Sequence, residues 1–304
     1  MTRYALGIDA GATNLRCALV NEQGEILKEI RERSKGIWNG PAYMDQLAAL
    51  AQRLLDDEIC RDKQIEGLGI GTCGQVNLKG ELFGHNGDPA IRIDPPVPIA
   101  AALTEKLGIP VFIDRSSYEE NPLGRSEWVK VYGALLDHEE EAEAFFADQA
   151  GVMDELEDFE NTGKTVAFFS LNTAGTVVVR RVKDYIPRMI ELAGGVNALK
   201  DVPMLQEATK SSNNMTMEEF YAAAVNADYL VYNGTIEVPI HSVEELLGKS
   251  DLFSEFKAVQ EGNVWCADKY LYQATDIVGQ LIRDFHHMLT DGDESQMVFI
   301  YKVE

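Results

Sequence analysis

Two groups of residues in this 304-residue chain have types and spacing that could do chemistry. The first is Gly7-x-Asp9-x-Gly11-x-Thr13-Asn14. Glycines at this spacing let a turn close tightly and aim N–H groups at an anion, and an acid at a strand end can hold the metal of a nucleotide through water. That is the chemistry of a phosphate site, although an ordinary glycine-rich hairpin has the same spacing. The second group is dispersed. Tyr118, Arg180, Arg181, Tyr185, Asn233, Lys269, Tyr270 and Tyr272 fall at predicted strand ends or in loops, where open α/β sheets place their ligands. Arginine offers a planar fork for a carboxylate or a metal-bound oxygen, and tyrosine joins an apolar face to a polar tip. Cys17, Cys60, Cys73 and Cys266 contain no C-x-x-C pair and no short spacing to histidine, so buried reduced thiols are expected and no metal site is indicated. His286 and His287 are neighbours on one predicted helix and face about 100° apart, which disfavours shared ligation. Met204, Met215 and Met217 read as gap-filling core residues.

The elements that must position these residues follow from periodicity and punctuation. Tyr4 to Asp9 and Leu15 to Val20 read as a hairpin, with Glu25 to Arg33 as a third strand. From Pro41 to Glu58 apolar residues recur at helical spacing with proline in the first turn. Ile65 to Gly71 reads as a buried strand, and Gly71 to Pro98, rich in glycine and proline, as mostly loop. Val97 to Leu107 is a predicted helix stopped by Gly108, followed by a strand from Ile109 to Ile113. Beyond Asp114 helices are expected over Glu127 to Leu136 and Glu139 to Glu160, together a long helical tract linking two lobes. Strands at Val166 to Leu171, Thr176 to Arg180, Asp228 to Tyr232 and Asn263 to Ala267 then alternate with helices at Asp184 to Ala193, Met217 to Ala224 and Thr275 to Leu289. This alternation indicates an α/β fold, here two α/β lobes joined by a long helix. The expected organisation is residues 1–114, a linking helical segment 115–162, and 163–304.

The stretches GIDAGATNLRCALVNEQGEIL, IEGLGIGTCGQVNLKGELFGHNG and LTEKLGIPVFID resemble the ROK-type sugar kinases and repressors of the actin-like ATPase superfamily, from about Arg3 to Asp114. The resemblance implies an RNase H/actin-like lobe in which Asp9, Gly11, Thr13 and Asn14 would hold the phosphates of ATP-Mg. The pattern then departs. In that family Asn-Asp-x-Asn follows the last strand and its second acid is the general base; here Asp114-Arg115-Ser116-Ser117 puts Ser116 at the base position. Asp114 is catalytic only on a kinase reading, and the family's second domain has no counterpart downstream. Phosphoryl transfer needs positioning and charge stabilisation from both domains.

From about Ile109 onward the stretches IPVFIDRSSYEENPLGRSEWVKVYGALL, DYIPRMIELAGGVNAL, NADYLVYNGT and LFSEFKAVQEGNVWCADKYLYQATDIVGQLIRDFHHML resemble the iron-complex class of ABC-transporter substrate-binding proteins. That resemblance implies a Rossmann-like C-terminal lobe binding a ferric siderophore, haem or corrinoid without catalysis and without a required cofactor. Side-chain chemistry, independently of that resemblance, makes Tyr118, Arg180, Tyr185, Asn233, Tyr270 and Tyr272 the candidate ligand residues, the alternative being that Arg180 and Arg181 are surface residues and the tyrosines core edges. The resemblance makes Glu119, Glu120, Glu218 and Glu219 candidates for docking onto arginines of an ABC permease, although solvated charge and helix N-terminal stabilisation explain them equally well.

Composition bounds both readings. With 50 acidic against 27 basic residues the net charge is −23, which argues against nucleic acid, whose binders neutralise phosphates with clustered cations. Residues 1–114 hold 16 acids and 12 bases, so nearly all the excess acid lies beyond Asp114. No apolar run approaches the roughly 18 residues of a membrane span. Met1-Thr2-Arg3-Tyr4 leads straight into a strand pattern, so no signal peptide is read and a cytoplasmic location is expected, against the extracytoplasmic one the binding-protein resemblance implies. The expected function is solute binding by a two-lobed chain; the alternatives are an ATP-dependent sugar kinase and a fusion that does neither.

Overall fold

The computed structural model describes residues 2–11, 13–35, 39–72, 74–77, 79–85, 92–112, 114, 116, 119–208, 211–235, 238–271 and 274–304. The chain divides into two compact units, Met1–Arg115 and Ser116–Glu304. The fold is mixed α/β.

In the first unit β1 (Tyr4–Ala10), β2 (Asn14–Asn21) and β3 (Ile26–Arg33) form an antiparallel meander. Helix α1 (Gly40–Leu55) then crosses to β4 (Ile65–Thr72), which pairs parallel with β1 and gives the order β3-β2-β1-β4. Strand period places Leu6, Ile8, Ala10, Leu15, Cys17 and Leu19 on one buried face, and the helical stripe Met44, Leu47, Leu50, Ala51 and Leu54 covers it. Asn39 caps α1 by accepting from the Ala42 N–H at 3.2 Å. The stretch expected as loop is a three-stranded antiparallel sheet of β5 (Gly74–Val76), β6 (Glu81–His85) and β7 (Arg92–Pro98). Proline masked it: Pro95, Pro96 and Pro98 lie in β7, an edge strand, where a missing N–H costs no ladder bond. Helix α2 (Ile99–Leu107) ends on Gly108 in the left-handed conformation, as its sequence predicts. The strand expected from Ile109 to Ile113 is reduced to a single bridge between Val111 and Leu68, and Ile113 lies outside the described residues.

The second unit begins with α3 (Pro122–Glu127), α4 (Val129–Leu136), α5 (Glu139–Ala150) and α6 (Val152–Glu155). The long linking helix expected from Glu127 to Glu160 is therefore not continuous. The chain reverses at Asp137, in the left-handed region, and α5 folds back on α4. Gly133 permits the crossing, since a Cβ there would come within 2.6 Å of Ala142 Cβ and 2.9 Å of the His138 carbonyl. Strands β8 (Thr165–Leu171) and β9 (Val177–Arg180) form a hairpin, followed by α7 (Tyr185–Leu192), β10 (Val196–Asn197), α8 (Pro203–Gln206), β11 (Ser212–Met215), α9 (Met217–Ala224) and β12 (Tyr229–Asn233). After α10 (Val243–Leu247) and α11 (Lys257–Gln260) come β13 (Val264–Ala267), α12 (Val278–Thr290) and β14 (Ile300–Lys302). The sheet order is β11-β9-β8-β12-β13-β14, with β8, β12 and β13 parallel and β10 alongside β8.

These strands read as near-continuous apolar runs because both faces are covered. Phe169, Tyr232 and Cys266 face a layer containing Phe220, Phe253 and Phe256, while Phe168, Val231 and Trp265 face α7 and α12. The α3–α6 tract is tied to α12 and the turn before it. The Ser126 hydroxyl donates to the Thr275 carbonyl, Gln149 accepts from the Gly279 N–H at 3.0 Å, and Arg283 forks onto Glu155 at 2.6 and 2.7 Å. Cys17, Cys60 and Cys266 are buried free thiols, as expected, and Cys73 lies outside the described residues.

Candidate functional site

Charged and aromatic side chains converge in the second unit, where β9 ends and α7 begins. β9 pairs with the C-terminal half of β8 and β10 with its first two residues, so the chain leaves the edge of β8 between them. Asp184 caps α7, accepting from the Ile186 N–H at 3.4 Å and from the Ser211 hydroxyl. That cap sets Tyr185 on the first turn. The Arg125 guanidinium stacks on the Tyr185 ring with its carbon 3.9 Å from the centroid, and its Nε donates to the Glu119 carbonyl at 2.9 Å. Asn121 and Pro122 start α3 and thereby place Arg125 one turn on. Arg180 donates to the hydroxyls of Ser211 and Ser212, each at 3.2 Å. Arg181 pairs with Glu120 at 3.2 Å, and Trp128 Nε1 donates to the Glu119 carboxylate at 3.2 Å.

One arginine thus stacks on Tyr185, and the charges of Arg180 and Arg181 act on it. Burial holds the Arg125 guanidinium below its ordinary value; Tyr185 and Asp184 oppose this, and the positive charges of Arg180 and Arg181 add to it. A cluster of this composition suits an anionic oxygen ligand presented beside a flat apolar face.

The structure thus brings together Arg180 and Tyr185 of the expected ligand residues. Asn233 stands apart at the end of β12, buried, where its carboxamide oxygen accepts from the Thr235 N–H at 3.3 Å and hydroxyl at 2.6 Å and closes a turn. Tyr118 and Tyr272 lie outside the described residues, as does the side chain of Tyr270, whose backbone is in the Lys269–Leu271 turn. The expected docking acids have other partners: Glu119 and Glu120 are the internal acceptors of Trp128 and Arg181. Glu219 completes a capping box, accepting from the Thr216 N–H at 2.8 Å, and Glu218 is exposed on the same first turn. Arg125 was not among the expected residues. Its signal was a lone cation one turn after the Asn121-Pro122 helix start, which shows only which turn it occupies, not what it faces.

In the first unit, Asp9 is exposed on β1 and lies 3.9 Å from Arg16. Gly11 donates its N–H to the Asn14 carbonyl at 3.1 Å, and a Cβ there would meet that oxygen at 2.9 Å, so glycine serves the turn itself. The Thr13 carbonyl accepts from Ser34, and the side chains of Thr13 and Asn14 are exposed. Asp114 is exposed. Among the described residues no group of three or more His, Cys, Asp or Glu side chains converges as a metal cluster, and no helix is long and apolar enough to cross a membrane.

Residues 99–271, more than half of the chain, match the periplasmic binding protein family. The chain belongs to that family. Residues 5–120 match the ROK family, so the two matches overlap from 99 to 120. An uncharacterized lipoprotein of Methanocaldococcus jannaschii is 25% identical over 303 residues, covering 94% of this chain, and the chain spans 66% of that relative's length. Among solved structures, an ABC-type Fe3+-hydroxamate transport system protein of Saccharomonospora viridis superposes with a TM-score of 0.50 at 16% identity, covering 64% of this chain and 67% of its own. A periplasmic haem-binding protein of Roseiflexus gives 0.50 at 20% identity, covering 64% and 72%. These structures share the fold of the part of this chain that they cover.

Proposed function

We propose that this chain is a solute-binding component of an ABC importer that captures a metal chelate, a ferric siderophore, haem or corrinoid, through the second unit and without catalysis. The observation that carries the reading is the stacking of Arg125 on Tyr185 at the first turn of α7, with Arg180 and Arg181 held beside it by Ser211, Ser212 and Glu120 and their charges acting on Arg125. The family to which the chain belongs and the haem and Fe3+-hydroxamate proteins that share its fold support the choice of ligand class. An extracytoplasmic location and delivery to a permease follow from the same reading, with exposed Glu218 as the acid open to a partner arginine.

The ROK match favours a second reading for the first unit, in which Asp9, Gly11, Thr13 and Asn14 hold the phosphates of ATP-Mg and Asp114 faces a sugar. Against it, Ser116 stands where that family has its base, and the Gly11 amide is already bonded to Asn14. A thermal-shift panel of hemin, ferric hydroxamates, cobalamin, hexoses and ATP-Mg separates the two readings. A shift with a chelate that is lost in Arg180→Ala supports solute binding. ATP hydrolysis or sugar phosphorylation abolished by Asp9→Ala refutes binding without catalysis.

A further inference from the structure

The arginine cluster carries its own counter-ions, and they differ in how firmly they are held. Asp184 is buried and committed to the Ile186 N–H and the Ser211 hydroxyl. Glu119 is fixed at both its carbonyl and its carboxylate, by Arg125 and Trp128. Among the described residues Glu120 has one polar side-chain contact, a single carboxylate oxygen 3.2 Å from a terminal nitrogen of Arg181. The two sides of that pair are unequal: the Arg181 side chain is 23% exposed and that of Glu120 53%. The Arg181 Nε is buried without a hydrogen-bond partner among the described residues, so the exposed part of the side chain is its terminal nitrogens, one of which meets Glu120. A guanidinium presents its donors as a rigid fork suited to two acceptor oxygens at once, and one exposed carboxylate oxygen does not fill it.

We propose that Glu120 is a built-in stand-in for the anionic group of the solute. Its carboxylate rests on Arg181 in the free protein and swings out when a solute oxygen pair takes the fork. The inference rests on the solute-binding reading above and adds a selectivity rule to it. An anionic chelate exchanges an exposed single contact for a two-point contact, whereas a neutral chelate leaves Glu120 in place and draws nothing from Arg181. Glu120 is thus a specificity-determining residue that weakens binding of anionic solutes without touching them.

The test compares the full-length protein with its Glu120→Gln and Arg181→Gln variants, with affinities for hemin, which carries two carboxylates, and for a neutral ferric trihydroxamate read by tryptophan quenching. Glu120→Gln is expected to bind hemin about two- to fivefold tighter, the range by which an exposed ion pair competes, and the neutral chelate with unchanged affinity. Arg181→Gln is expected to weaken hemin about tenfold and leave the neutral chelate within about twofold. Glu255→Gln, an exposed acid outside the cluster, is expected to behave as wild type and controls for net charge. Unchanged or weaker hemin binding by Glu120→Gln overturns the inference alone, as does an equal gain in Glu255→Gln or wild-type binding of the neutral chelate only. Failure of the wild type to bind either probe overturns the solute-binding reading and this inference with it.

Discussion

Asp284 is a fully buried carboxylate on α12, and its removal should release the C-terminal edge of the second unit's sheet. Its Oδ2 accepts from the N–H groups of Val298, Phe299 and Ile300 at 3.1, 2.6 and 3.1 Å, and its Oδ1 from Gln280 at 2.7 Å. Three successive amides are thereby gathered on one oxygen just where the chain enters β14, which pairs with β13. Asp284→Ala leaves those amides without an acceptor. Each stranded buried donor costs about 1–3 kcal/mol, but Val298 is 60% exposed, so its amide can find water. The expected loss is therefore about 3–5 kcal/mol. Asp284→Asn keeps one acceptor oxygen and removes a charge that burial disfavours, so its loss should be smaller, about 1–2 kcal/mol. Urea unfolding of the full chain followed by the fluorescence of Trp265, which pairs with Lys302 across the β13–β14 edge, reports the relevant transition. For a unit of this size the larger loss corresponds to a fall in Tm of roughly 6–20 °C. An Asp284→Ala variant within about 1 kcal/mol of wild type, or one less affected than Asp284→Asn, would refute the assignment of these amides to the carboxylate.

Three further outcomes are expected. Burial works to raise the Asp228 carboxyl, but Lys257 and the Thr165 N–H and hydroxyl more than offset it and hold it below its ordinary value. A depressed acid adds stability above its unfolded pKa and loses it as pH falls through the folded one, so the gap in urea midpoint between wild type and Asp228→Asn should be full at pH 5 and close below about pH 4; a gap constant to pH 2.5 excludes the pairing. Gly133→Val drives side-chain atoms into Ala142 and the His138 carbonyl and should cost about 1–3 kcal/mol in the same unfolding assay, with a neutral effect excluding the close α4–α5 crossing. Burial, with Cys60 second, pushes the Cys17 thiol up to about 12, and burial raises Cys266, so peptide mass spectrometry after iodoacetamide at pH 8 should find both unlabelled until the protein is unfolded.

Much of the architecture was legible because it depends on local period. The Leu6-Ile8-Ala10 alternation and the Met44-Leu47-Ala51 stripe each specify a buried face without reference to partners, and the apolar run of β8 announces a strand covered on both sides. Gly108 marked the end of α2 because its positive φ is a local requirement. Two errors had local causes as well. Prolines in β7 hid an edge strand, and the tract from Glu127 to Glu160 has helix-favouring residues on both sides of Asp137, although Asp137 and Gly133 fold α5 back on α4.

By itself the sequence determined the α/β class, most element boundaries, the concentration of acid beyond Asp114 and the presence of Arg180 and Tyr185 near a strand-to-helix turn, all properties of neighbouring residues or of counts. Only tertiary structure decided what those residues face. Arg125 lies 60 positions before Tyr185 and Glu120 lies 61 before Arg181, and no periodicity relates residues so far apart. Their meeting follows from α3 docking beside α7, where shared burial of apolar faces, not the charges themselves, brings cations together and makes each need an acceptor. Tertiary and local structure likewise gave Glu119 and Glu120 partners in Trp128 and Arg181 and put Glu219 in a helix cap, none of which their sequence positions display.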